Sequence, residues 1–154
     1  MKIIKAEPSA VETVKDITYN TIDQVYPKYY PPGAVDFFLA HHSSSRIEED
    51  VRAGKVFLLL DDSGTAVGTV TVNGNDIGRL FVLPEHQGKG YGGALLSFAE
   101  ESVPEGFDHI VLDSSLPAKS IYLKKDYTPL KYNVLETENG DFLCYDTMIK
   151  HRRR

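Results

Sequence analysis

The chain has 154 residues, 42% hydrophobic and 25% charged, with a formal net charge of -5. That length supports one domain with a sizeable core, read as residues 1–150 with a basic tail at 151–154. The acidic balance disfavours nucleic acid as a partner, and no apolar run approaches membrane-spanning length.

Met1 to Lys5 is too short an apolar run for a signal peptide and leads into a strand pattern, Lys2 to Ala6. Ser9 and Glu12 have capping-box spacing and open a helix to about Tyr26, with Val11, Val14, Thr18, Ile22 and Val25 as its apolar stripe. Pro27 and Pro31-Pro32 stop it in a loop carrying Tyr26, Tyr29 and Tyr30. Val35 to Leu39 suggests a short helix, after which His41 and His42 read as a polar helix end. Ser45 and Glu48 repeat the capping spacing, and Gly54 closes that helix.

The period then changes. Lys55 to Leu60 is a continuous apolar run, hence a buried strand. Thr65 to Val72 alternates and is β-branched, Asn73-Gly74-Asn75 is a hairpin signal, and Asp76 to Leu83 returns. These three strands form an antiparallel meander.

Next come Gly88, Gly90, Gly92 and Gly93, with Lys89 among them. The helix that follows, about Gly90 to Glu101, buries Tyr91, Ala94, Leu95, Phe98 and Ala99. His109 to Leu112 is a strand, parallel to the one before the loop because a right-handed crossover joins them. A short helix carries Ala118, Ile121, Tyr122 and Lys125, with Pro117 in its first turn. Leu130 to Glu136 and Phe142 to Ile149 make a closing hairpin. The sum is an α/β fold of mixed-sheet type, about seven strands with helices on both faces. Cys144, the one cysteine, lies in the last strand and reads as a buried structural thiol. A lone thiol fits a reducing, cytoplasmic compartment, and the basic end past that strand reads as a frayed tail.

Four glycines in six residues exceed what a tight turn needs. They let backbone amides approach a ligand, and a helix N-terminus beside them seats phosphate. A Walker A loop is excluded because Gly90, not Ser or Thr, follows Lys89. Gly88, Gly90 and Gly93 satisfy the dinucleotide fingerprint, with Asp113 at the next strand end as a ribose-binding acid. Two features oppose that reading: Pro84 to Gln87 separate the strand from the first glycine, and an antiparallel meander precedes the loop.

Val82, four spacer residues and then Gln87-Gly88-Lys89-Gly90-Tyr91-Gly92 resemble motif A of the GNAT superfamily of acetyl-CoA-dependent N-acetyltransferases. Gln87, Gly90 and Gly92 fill its defining positions, and the order of elements over nearly the whole chain is that of the family. A second family motif is matched by Ala118 and Tyr122, with Ser115 in place of an asparagine, Asp126 of a glycine and Tyr127 of a phenylalanine.

The resemblance implies a GNAT fold, mostly antiparallel with a central parallel pair. It implies acetyl-CoA as donor and no metal. Gln87, Gly88, Lys89, Gly90, Tyr91, Gly92 and Gly93 would cradle the pyrophosphate, the backbone of Phe81, Val82 and Leu83 would receive pantetheine, and Ser115 and Tyr122 would also bind the cofactor. It implies an amide near Val82 that polarises the thioester and Tyr122 as proton donor to the leaving thiolate. Asp76, Glu85, His86 or water would deprotonate the amine, Asp76 being favoured by its place at the start of the acetyl-bearing strand. Tyr26, Tyr29 and Tyr30 would wall the acceptor site. The acceptor would be a small-molecule or peptide amine, attacked directly in a ternary complex, and a homodimer through the C-terminal strands would follow by analogy. The alternative is a catalytically silent CoA-binding or regulatory module of the same fold.

Overall fold

The computed structural model describes residues 1–153. Seven strands are formed: β1 (Lys2–Lys5), β2 (Val56–Leu60), β3 (Ala66–Asn73), β4 (Asp76–Val82), β5 (His109–Ser114), β6 (Thr128–Glu136) and β7 (Phe142–His151). Five α-helices accompany them: α1 (Val11–Val25), α2 (Pro32–His41), α3 (Ser44–Arg52), α4 (Tyr91–Ser102) and α5 (Lys119–Lys124). The strands make one sheet in the order β1-β2-β3-β4-β5-β7-β6, antiparallel except for the central β4–β5 pair. The expected mixed sheet, meander and parallel crossover are therefore present.

The continuous apolar run of β2 is explained by a sheet covered on both faces. Val56 and Leu58 join a core with Val14, Ile17, Ile22 and Ile47 of the N-terminal helices. Leu59, one residue on and on the opposite face, joins Leu95, Leu96 and Ala99 of α4. The same alternation sends Phe81 to the first core and Val82 to the second. Each full burial of such a side chain contributes about 1.5–3 kcal/mol.

Helix starts differ from the sequence reading. Pro8–Ala10 forms a separate 3-10 turn, so Ser9 lies inside a turn and α1 opens without a side-chain cap. At α3 the cap is Ser43, extended at φ -63 and ψ 157, whose side chain accepts from Arg46 N–H at 3.3 Å. Ser45 lies two residues too far along the chain for that role. Gly54 does follow α3, at φ 73.

The parallel pair touches at one register position, Asp76 with Val111, and beyond it β4 and β5 are no longer paired. A bulge in β4 places Arg79 and Leu80 opposite Val70, with Arg79 at φ 46. At the far end β7 runs through His151, which pairs with His109. Arg152 is not frayed: its guanidinium donates to the carbonyls of Pro104, Phe107 and Val103 at 2.6, 3.0 and 3.0 Å. Arg154 lies outside the described residues. Cys144 is half-buried rather than fully enclosed. No helix among the described residues is long and apolar enough to cross a membrane.

Candidate active site

The opening between β4 and β5 contains two adjoining cavities. The first, about 370 Å³, is lined by Phe81, Val82, the glycine loop, the start of α4 and Tyr122. The second, about 250 Å³, lies toward α2 and is lined by Phe37, Phe38, His42, Asp76, Asp113 and Tyr145 among others. Tyr26, Phe81, Ser115 and Tyr122 border both.

The loop geometry follows from its glycines. Gly88 and Gly90 sit at φ 78 and φ 86, in the left-handed region where a Cβ is costly. Gly90 is the N-cap of α4 and offers no side-chain cap, so the first helical amides lack a capping acceptor. A Cβ built at Gly88, Gly90 or Gly93 would meet nothing within 4 Å. The loop thus presents bare amides and the positive end of a helix to an open hollow. That suits a diphosphate, and the residues present fit coenzyme A.

Val82 supplies a donor for a different reason. Leu83 N–H bonds Val67 O at 2.9 Å, which makes that pair a hydrogen-bonded one of the β3–β4 ladder. Val82 opposite Gly68 is then of the other kind, with its N–H and C=O turned away from β3. Gln87 Nε2 donates to Val82 O at 2.9 Å. The N–H of Val82 faces the side where β5 has diverged. Gly68 itself is required there, since a Cβ would lie 2.8 Å from Leu95 Cδ1 and 3.2 Å from Phe81 O.

Tyr122 is 8% exposed, its hydroxyl makes no hydrogen bond among the described residues, and burial pushes its phenol up to about 12. It stays protonated at neutral pH. Its ring packs edge-on against Tyr127 at 5.7 Å. Asp126 adopts φ 69, so aspartate occupies a left-handed position as the second motif requires. Asp76 borders the second cavity, where burial and then the charge of Asp113 raise its carboxyl to about 6. His86 borders the first cavity instead, and Glu85 borders neither.

Several expected contributors lie elsewhere. Leu83 directs its amide to β3, and neither it nor the exposed Lys89 lines a cavity. Tyr26, by contrast, does border both cavities; it packs at 4.7 Å from Phe38 and 5.6 Å from Tyr30, and burial raises its phenol. Tyr29 is 51% exposed, and Tyr30 accepts the Leu116 amide at 2.6 Å, so neither lines a cavity. His41 and His42 do end α2, as the sequence suggests, and they also border the second cavity. Their signal was masked because the residue that holds His42, Arg79, is 37 positions away. Among the described residues, no cluster of His, Cys, Asp and Glu could hold a metal.

A strand-loop-helix that bares amides over an opened parallel pair is a site suited to a phosphate-bearing cofactor. The family model of the GNAT acetyltransferase domain matches residues 17–143, and the chain belongs to that family. No curated protein matches the chain in sequence. Among solved structures it is similar to a GCN5-related N-acetyltransferase from Rhodopseudomonas palustris, 20% identical, with a TM-score of 0.87 over 98% of this chain and 95% of that one. It also resembles YncA from Salmonella typhimurium, solved with its cofactor acetyl-CoA, at 18% identity, TM-score 0.72, over 100% and 95%. PaiA N-acetyltransferase from Thermoplasma acidophilum, in complex with coenzyme A, aligns at 20% identity and TM-score 0.69 over 98% of each chain. At these identities the likeness to solved structures establishes the fold.

Proposed function

We propose that this protein transfers an acetyl group from acetyl-CoA to the primary amine of a small acceptor, by direct attack. The observation that carries the reading is the meeting of the two cavities at Tyr122, whose hydroxyl is protonated and unengaged. One cavity suits the donor and the other the acceptor.

Acetyl-CoA supplies an activated thioester. The amides of Tyr91, Gly92 and Gly93 and the helix end hold its diphosphate. Val82 N–H donates to the thioester carbonyl and favours charge gathering on that oxygen. Asp76, ionised above pH of about 6, takes a proton from the acceptor ammonium, directly or through water. The amine nitrogen then bonds to the acetyl carbon, the carbon–sulfur bond breaks, and Tyr122 protonates the departing thiolate. Cys144 lies on β7 and borders neither cavity, so no acyl-cysteine is invoked.

The reading is tested by following thiol release from acetyl-CoA across a library of primary amines. Amine-dependent release that raises acceptor mass by one acetyl group supports it. Tight CoA binding with no acetyl transfer to any amine would leave the silent-module alternative instead.

A further inference from the structure

Arg79 occupies a position that glycine ordinarily takes. It is the first residue of a bulge and sits at φ 46, where an L side chain is strained. Such strain persists when the surroundings over-determine it. The guanidinium is 7% exposed and donates to Asp50 Oδ2 at 3.1 Å and Thr71 Oγ1 at 3.2 Å. Its Nε–H donates to His42 Nδ1 at 3.3 Å.

That last contact fixes a tautomer. A guanidinium nitrogen only donates, so Nδ1 of His42 must accept, and the ring proton must sit on Nε2. Burial disfavours the imidazolium first, then the charges of Arg79, His41 and Arg46, and His42 falls to about 3. The ring is also held in place. Tyr19 Oη donates to the His42 carbonyl at 2.8 Å, and the imidazole packs edge-on to Phe81 at 5.7 Å. Nε2–H has no partner among the described residues, and the ring borders the second cavity.

The rest of that cavity sets the charge and shape of its occupant. Asp76 and Asp113 border it on neighbouring strands, and Asp113 is steadied by Thr147 Oγ1 at 2.8 Å. Its one guanidinium is already neutralised by Asp50. The cavity is therefore net acidic and suits an ammonium, while a free carboxylate would meet repulsion. Phe37, Phe38, Tyr26 and Tyr145 give flat apolar walls. A neutral Nε2–H fits a neutral carbonyl oxygen.

We propose that the second cavity takes an aromatic primary amine bearing a carbonyl, of the amino-acid amide type. Asp76 and Asp113 hold the ammonium, His42 Nε2–H holds the carbonyl, and Arg79 is the positioning residue that sets the His42 tautomer. The inference rests on the acetyltransferase reading and deepens it by naming the acceptor class.

The test reads binding without turnover. The protein saturated with CoA is titrated calorimetrically with L-phenylalaninamide, phenethylamine and L-phenylalanine. The amide is expected to bind about tenfold tighter than phenethylamine, with phenylalanine weaker than the amide. His42→Phe should erase the gap between amide and phenethylamine, and His42→Gln, which keeps a donor, should restore part of it. Nitrogen-15 NMR of the imidazole should show a neutral ring protonated at Nε2 from pH 5.5 to 8 in the unchanged protein. Arg79→Met should let the other tautomer appear.

Equal affinities in the unchanged protein, a gap that survives in folded His42→Phe, no measurable amide binding, or an Nδ1-protonated or charged ring at pH 6 overturns the proposal. Amide preference with no acetyl transfer from bound acetyl-CoA would instead overturn the acetyltransferase reading alone.

Discussion

Replacing Asp76 by asparagine should make the protein more stable and less active at once. In the folded chain, burial and then Asp113 raise this carboxyl from 3.8 to about 6. Unfolded, it titrates near the ordinary carboxylate value. Between about pH 4 and 6 the folded state holds a proton that the unfolded state has lost, so stability falls as pH rises through that window. Above it the deficit is complete. A shift of that size corresponds to about 3 kcal/mol for an unscreened group. Asp76 is exposed at its edge, however, and water screens most of this, leaving about 0.5–1 kcal/mol. Asp76→Asn should therefore melt about 1–4 °C higher at pH 7.5 and within error of the unchanged protein at pH 4. Its turnover should fall about 10²-fold or more, as loss of a general base predicts. Thermal melts at the two pH values, with initial rates at pH 7.5, decide the matter. A variant that melts lower at pH 7.5, or that keeps full turnover, refutes the assignment.

Other outcomes follow from the same geometry. Asp113→Asn should move the acidic limb of the rate profile to lower pH, because it removes the like charge that helps raise Asp76, as a pH series of kcat/KM would show. Gly90→Ala should cost about 1–2 kcal/mol of stability, since alanine is strained at φ 86. Its Cβ also enters the hollow, so calorimetry should show CoA binding weakened about tenfold or more. Tyr127→Phe should raise the melting temperature: its hydroxyl is buried with no partner among the described residues, and such an orphan costs about 1–3 kcal/mol.

What could be read from the sequence was local. The glycine loop and its helix are set by residues within a few positions of one another. The left-handed turn at Asp126 is likewise foreshadowed by a single substitution. Period-2 and period-3.6 patterns placed the strands and helices because burial on two faces follows the backbone repeat. In α4 the buried stripe is wider than the periodicity alone shows: Leu96 joins Leu95 and Ala99 in the core against the sheet. Capping serines are ambiguous in the sequence because Pro8 opens a 3-10 turn, and because Ser43, Ser44 and Ser45 offer rival starts. The acceptor side was illegible for a deeper reason. His42 matters through Arg79, and Arg79 reaches it only because a bulge turns its backbone to positive φ. Neither Tyr29 nor Tyr30 reaches a cavity, since Tyr30 is spent on the Leu116 amide. Arg152 closes carbonyls at the end of α4, a tertiary contact that a basic run does not announce.

In the proposed mechanism, chemistry occurs where the two cavities meet, with Tyr122 as proton donor to the thiolate. Single-turnover acetyl transfer from bound acetyl-CoA to an accepted amine, compared between the unchanged protein and Tyr122→Phe, tests it most directly. Tyr122→Phe should keep CoA affinity within about twofold and lower the transfer rate by about 10²-fold. Equal transfer rates in the two proteins at every pH would contradict it.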